Sequence, residues 1–356
     1  VTYRGGMSVL LSRPGAVEGR GVDAGVAAHY GAPHKEQVLL EEGLAVVDLS
    51  HRGVVTVTGP DRLTWLHSLT SQHLAALAPR TSVETLILSP KGHVEHALHL
   101  VDDGERTWMT TEPGDAPAVV AWLDSMRFML RVEVADVSDR YAVLGEPVGA
   151  ESAVGEPVAW VDPWPGVVGD SHAYGPQGEE HPGHGRRWRE LVVPREDLAT
   201  AVGDRPLAGT WAAEALRVAA WRPRAGIDTD HRTIPHELDW LRTAVHLSKG
   251  CYRGQETVAR VKNLGRPPRR VVFLHLDGSG HVPPEPGTEL VPAEGGRAVG
   301  RLTSVAQHHE DGPIALAVVK YTTDPAAVLL AGEVSAAQTE ILPASTERPT
   351  TRPRLR

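Results

Sequence analysis

Residues 249–256 read KGCYRGQE, and Cys251 within that run is the sole cysteine of the 356-residue chain. Gly250 and Gly254 bracket it. Glycine lets the backbone turn sharply or lets another chain segment approach closely. The continuation QETVARV has a helical look, so Cys251 falls just ahead of a helix N-terminus, where the dipole favours a thiolate. Lys249 adds a positive charge nearby. On these residues alone Cys251 is either a reactive thiol or a small buried residue in a structural turn, and spacing pairs no base with it.

The rest of the composition narrows the field. One cysteine excludes an internal disulfide and any cysteine-built zinc or iron–sulfur site held by this chain alone. With 41% hydrophobic and 23% charged residues, the chain is ordinary for a globular protein of two or three domains. The net charge of -9 and the lack of a long basic run argue against a dedicated nucleic-acid binder and predict no direct DNA binding. GRRWRE (Arg186, Arg187, Arg189) and GRPPRR (Arg266, Arg269, Arg270) read as solvated faces, with an anion site as the functional alternative. No apolar run approaches the roughly 18 residues a membrane span needs. We expect a cytoplasmic protein with no membrane partner.

Along the chain, residues 1–27 show no periodicity and read as a loosely held arm. VVDLS (46–50) and VVTVTG (54–59) are β-branched strands split by HRG. Pro60 and Asp61 start a helix whose apolar stripe is Leu63, Leu66 and Leu69. TLILS, PKG and HVEHALHLV form a hairpin, RTWMTTE a further strand, and 116–130 a helix with Val119, Leu123, Met126 and Leu130 on one face. Residues 145–187 are dense in Gly, Pro and His, with PVAWVD as a weak strand. WRELVVP is a strand, and Thr210 is the expected N-cap of WAAEALRVAAW, with Glu214 favourably placed early in that helix. From 269 onward, short strands between Gly/Pro turns predict a small β-barrel or sandwich. Residues 344–356 read as a disordered tail.

Few motifs carry chemistry. His93, His96 and His99 are three apart, and on a strand that spacing turns neighbours to opposite faces, which speaks against a shared metal. The histidines of HPGHG and QHHE read as exposed loop residues. In TIPHEL, Glu237 either caps a short element or reaches into a pocket, and capping is the preferred reading.

The octapeptide resembles the signature of the YgfZ-type folate-binding proteins, which act in iron–sulfur protein maintenance. The likeness continues into TVAR (257–260) and NLG (263–265). Gly226, Asp228, Ile234, Pro235 and Glu237 are similar to that family, as is VGRLTSVAQ…GPIALAVVK to the closing domain of the glycine-cleavage T-protein. The resemblance implies an α+β fold: a T-protein-like cloverleaf of mixed or antiparallel sheets with helices around a central channel, plus a C-terminal β-barrel. The expected units are 28–58 with 145–268, 59–144, and 269–343. It also implies tetrahydrofolate or a one-carbon derivative as cofactor, and transient iron–sulfur clients that include radical enzymes modifying tRNA. Cys251 and Lys249 are then the reacting pair, beside Gly250, Tyr252, Gly254, Gln255, Glu256 and Arg260. Glu237, Asp228, Glu190, Arg222 and Arg224 are the expected folate residues, the two arginines at the channel mouth for the glutamate tail.

Two departures separate the chain from a true aminomethyltransferase. Where the T-protein has an Asp-Asp pair, KGHVEHAL offers Glu95 and His96. Where it has R-L-E-A-G, this chain has RVAAW, with Ala219 in place of the glutamate. Glu190 in WRELVVP is the expected substitute. A folate-dependent aminomethyltransferase and a non-catalytic folate-binding scaffold are the alternatives.

Overall fold

The computed structural model describes residues 6–149, 158–280 and 282–344. Three β-units meet around one interior. The C-terminal unit is a closed six-stranded barrel in the order Arg269–Leu276, Gly312–Lys320, Gly300–His308, Glu289–Pro292, Leu329–Ala331 and Val334–Glu340. Its two central strands are apolar on both faces for a definite reason. Val272, Leu274, Ala315, Ala317 and Val319 fill the barrel. The alternate residues Val271, Phe273, Ile314, Leu316 and Val318 pack outward onto Trp221, Leu238 and Trp240. Side chains alternate across a strand, so a barrel pressed against another unit reads as an unbroken hydrophobic run.

The other two units are five-stranded sheets. The first runs Val158–Val161, Trp188–Pro194, Tyr141–Pro147, Val46–Asp48, Leu207–Ala208, antiparallel except for the final pair. The second runs Ser82–Leu88, Val94–Asp102, Arg106–Thr111, Gly53–Thr58, Glu133–Asp136, antiparallel throughout. The chain therefore crosses between sheets near 49–52 and again near 137–140, not at 58 and 144. Hydrogen-bond pairing decides this: VVTVT adds to the second sheet through Arg106–Thr111, while YAVLGEP joins the first through Trp188–Pro194.

In each sheet one face meets helices and the other faces the centre. Leu191 and Val193 pack on Leu198, Ala201 and Val202 of the Leu198–Val202 helix. Leu98, Leu100 and Met109 pack on Trp65, Leu66, Val119 and Leu123 of the Arg62–Leu69 and Ala116–Ser125 helices. The second helix stops at Ser125 rather than running to 130. Met126 caps it, and Phe128, with φ of 46°, turns the chain out of helical geometry. Thr210 is the first helical residue, not the cap, which is Gly209.

The expected N-terminal arm is, over the described residues 6–27, packed against the body. Leu10 is buried with Leu144 and Leu198, the Ser8 hydroxyl donates to Asp48, and Val17–Glu18 pairs with Ala27–His29. Short 3₁₀ turns and a two-residue strand leave no period for sequence reasoning to find. The expected tail lies outside the described residues from 345 onward.

His236 and His181 are buried, and burial pushes their imidazoles down to about 4 and about 3. His181 is packed by Trp164 and Trp221, which corrects the expectation of an exposed loop residue for the first histidine of HPGHG. A depressed folded value means the unfolded chain binds more protons below 6.5, so the stability contribution is complete above 6.5 and is lost as pH falls. We expect the urea midpoint to drop between pH 6.5 and 4, with roughly 3 kcal/mol coming from His236 alone. A His236→Gln protein should show a shallower fall over that range; an identical slope would assign the effect elsewhere.

Candidate functional site

The octapeptide folds as a loop pinned at both ends. Lys249 turns inward, and its ammonium donates to the carbonyls of His67 and Thr70. These lie at the C-terminal end of the Arg62–Leu69 helix, where unpaired carbonyls and the dipole favour a cation. Burial pushes this lysine down to about 8. Tyr252 also turns inward, buried in the core with its ring 5.1 Å from the Lys249 ammonium. Between these anchors Gly250 and Cys251 are exposed.

Gly254 starts the Gln255–Leu264 helix in the left-handed region, φ 85°. A Cβ there would lie 2.6 Å from the Ser89 carbonyl oxygen and 3.0 Å from the Gly92 Cα. The residue type is therefore fixed twice, by dihedral and by the approach of the PKG turn. Arg253 then reaches Glu95 at 3.0 Å, joining the octapeptide to the strand that carries the Glu95-His96 pair. His96 itself is 2.9 Å from Asp115, on the opposite face of the strand from Glu95. Gln255 is half-buried, while Glu256 and Arg260 are exposed on the helix.

Beside the loop sits a histidine cluster. The His67 and His73 rings are 4.7 Å apart, and those of His73 and His246 are 5.4 Å apart. His67 Nδ1 accepts from the Leu74 N–H, so its Nε2–H donates to the Lys249 carbonyl at 3.2 Å. Burial and then the Lys249 charge push His67 below its ordinary value.

At the centre, where both sheets and the barrel meet, arginines and carboxylates interlock. Glu190 receives Arg52 at 2.9 Å, Thr110 at 2.7 Å and His99 at 3.1 Å. Its in-phase neighbour Trp188 also lines the cavity. Arg222 joins Glu84 at 2.6 Å and Asp162 at 3.1 Å, and Arg186 meets the same Asp162 at 2.9 Å. Arg224 spans Glu112, Asp23 and Glu214 at 2.8, 2.9 and 3.2 Å. Arg52 and the arginine partners hold Glu190 and Glu112 below the usual carboxylate range despite burial.

These groups line a cavity of about 60 Å³. That is room for a few waters, against roughly 300–1,000 Å³ for small-molecule pockets. Unpartnered buried donors on its lining residues, Arg222 Nη1, Arg52 Nε and Thr210 Oγ1, suit such waters. A folate does not fit this cavity: its volume is filled by paired side chains, and both Glu190 oxygens are already engaged.

Of the expected folate residues, Glu190, Arg222 and Arg224 line the cavity, while Asp228 and Glu237 do not. Asp228 binds Arg217, Thr303 and Ser304, tying the 222–228 loop to the barrel. Glu237 is gripped by Arg269 at 2.6 Å, and its approach to the Ile234 N–H is a long 3.4 Å. Cys251 is absent from the cavity lining, so thiol and cavity are separate features. Glu214 serves Arg217 and Arg224 rather than the helix start. Sequence reasoning missed Arg52, His99, Glu112, Asp162 and Glu214 as cavity groups; the in-phase alternation of Ala97 with His99 was the one available signal.

A second depression of about 660 Å³ adjoins the cavity and shares Arg186, Trp188 and Ala213 with it. Leu216, Ala219 and Ala220 also line it, as does Arg187. Ala219, at the position of the missing glutamate, opens onto this cleft.

The fold is that of the T-protein. The crystal structure of the glycine cleavage system aminomethyltransferase T from Bartonella henselae superposes with a TM-score of 0.73 over 95% of this chain and 97% of that one, at 20% identity. Residues 18–146 match the family described as GCVT N-terminal domain. A chloroplastic protein of Arabidopsis thaliana named as a transferase is 26% identical over 288 residues, 74% of this chain but only 62% of that protein's length. The aminomethyltransferase of Streptomyces coelicolor is 27% identical over 320 residues, 83% of this chain and 82% of its own. The mitochondrial iron-sulfur cluster assembly factor IBA57 homolog of Mycosarcoma maydis is 24% identical over 267 residues, 68% and 60% of the two chains. Together these likenesses support a place in the T-protein superfamily.

The loop geometry makes a paired prediction. Gly250 also has positive φ, 97°, but a Cβ there meets open space. Gly250→Ala should cost about 1–2 kcal/mol from the left-handed dihedral alone. Gly254→Ala should cost clearly more, because it adds a backbone clash. Chemical denaturation of both variants checks the order, and equal losses would remove the close-approach argument.

Proposed function

We propose that this chain is an accessory protein for iron–sulfur enzymes, supporting their assembly or repair through Cys251. The observation that carries the reading is the placement of that thiol. It is the chain's sole cysteine, and it is exposed on a loop whose two inward anchors, Lys249 and Tyr252, leave it little freedom to withdraw. A presented thiol outside the central cavity suits contact with a client protein better than turnover of a small molecule. The likeness to an iron-sulfur cluster assembly factor supports the same reading.

We place tetrahydrofolate or a one-carbon derivative in the 660 Å³ cleft rather than in the central cavity. The cleft has the volume, an apolar wall of Trp188, Leu216 and Ala219, and Arg187 for a carboxylate tail. The aminomethyltransferase relatives favour a second reading, one-carbon transfer. Against it stand Glu95, tied to Arg253, and the alanine at 219.

In a strain lacking this protein, Cys251→Ala is expected to leave iron–sulfur enzyme activity near the deletion level, while the unmutated gene restores it. Full restoration by Cys251→Ala would refute the role of the thiol. For the cofactor, calorimetry with tetrahydrofolate should give binding that weakens about tenfold or more in Arg187→Ala and holds in Cys251→Ala. Absence of binding would remove the folate from the reading, and with it one-carbon transfer and a folate-binding scaffold. Tetrahydrofolate-dependent turnover of an aminomethyl donor on a lipoyl carrier would establish the second reading instead.

A further inference from the structure

The histidines of QHHE are not exposed loop residues. His308 ends the barrel strand Gly300–His308 and is buried; the side chain of His309 is 12% exposed. Glu41 is the last residue of the Pro33–Glu41 helix. Fold topology brings the three together, and one ligand atom from each lies within 4.8 Å of the others. Glu41 Oε2 is 2.7 Å from His309 Nε2. Gln37, one turn before Glu41, donates to the Gln307 carbonyl at 2.9 Å and accepts from the His309 N–H at 3.0 Å.

We infer that Glu41, His308 and His309 form a binding site for a divalent cation of the zinc class, clamping the Pro33–Glu41 helix to the C-terminal barrel at the rim of the 660 Å³ cleft. Two imidazoles and one carboxylate are the donor set of open zinc sites, with bonds of about 2.0–2.2 Å. The hard-ligand preference of Mg²⁺ and Ca²⁺ is met by oxygen, not by two imidazoles. His308 Nδ1 accepts from the Glu310 and Asp311 N–H groups at 3.3 and 3.2 Å, which holds the ring in place. Three protein donors leave a tetrahedral cation one open position. Glu41, His308 and Asp311 all line the cleft, so that position is offered to whatever occupies it. The site uses no residue of the octapeptide or of the central network, and it stands or falls independently of the proposed function.

The test uses the full, untagged chain and Zn²⁺ alone, titrated against a chromophoric chelator. A Cys251→Ser background removes the thiol as a competing ligand. One equivalent of Zn²⁺ is expected to bind in that background. His309→Gln and Glu41→Gln, both partly exposed positions chosen to spare folding, should each weaken it by at least about tenfold. Circular dichroism confirms that the variants fold. X-ray absorption of the zinc form should show two nitrogen ligands from imidazole with oxygen completing the shell. Absence of stoichiometric binding in the Cys251→Ser protein, or its full retention in the folded E41Q/H309Q double variant, overturns the site.

Discussion

Where the three β-units meet, hydrophobic clusters join the second sheet to the first sheet and to the barrel. Between these clusters lies a buried web of arginines and carboxylates that fixes how the units register. Glu190 comes from the first sheet, Glu84, His99 and Thr110 from the second, Thr303 and Ser304 from the barrel. Arg217, Arg222, Arg224 and Asp228 come from one short stretch running from a helix into the loop after it. A charge taken out of water costs several kcal/mol unless its partner and hydrogen bonds are well placed. Here nearly every oxygen has a donor. Such a web contributes little net stability, but any displacement of one unit would strand a buried charge, and stranding costs about 3–5 kcal/mol. It therefore acts as a registry device.

That constraint has a consequence for ligands. A group entering the central cavity would have to break ion pairs that also hold the units in place. The adjoining cleft carries no such penalty: its shared residues, Arg186, Trp188 and Ala213, form the boundary between the electrostatic junction and the larger cleft. The octapeptide is placed by different means, a lysine on a helix end and a glycine under a turn. Its thiol is thereby presented without drawing on the central web.

The sequence reading succeeded where the deciding physics is local. Positive-φ glycines at 250 and 254, the barrel strands between Gly/Pro turns, and the alternation that separates His96 from His99 are all short-range features. It failed where partners are distant in the chain. Asp23 meets Arg224, Glu84 meets Arg222, and Glu41 meets His309, each across more than a hundred residues, and no local pattern marks these pairs. Glu237 shows the same limit: its capping geometry was legible, but Arg269 of the barrel claims the carboxylate. An exposed-looking His-His pair after a barrel strand is likewise indistinguishable from a loop until Gln37 is seen to hold a helix against it.

Ala219 connects these strands of argument. A glutamate at this position would project its carboxylate toward the cleft wall formed by Leu216 and Ala220. The alanine removes both a charge and about two methylenes' reach of side chain, leaving an apolar floor. Binding energy in such a cleft comes from area buried against Trp188 and Leu216, at about 25 cal/mol per Å², with specificity left to the few polar groups on the rim. Those charged lining groups are of both signs, Arg186 and Arg187 together with Glu41, Glu42 and Asp311. A purely anionic ligand would be repelled by the three carboxylates unless a cation sat beside them. Glu41 belongs to the Glu41–His308–His309 cluster, so a divalent cation bound there would offset two of these three negative charges and offer its open position to an anionic group.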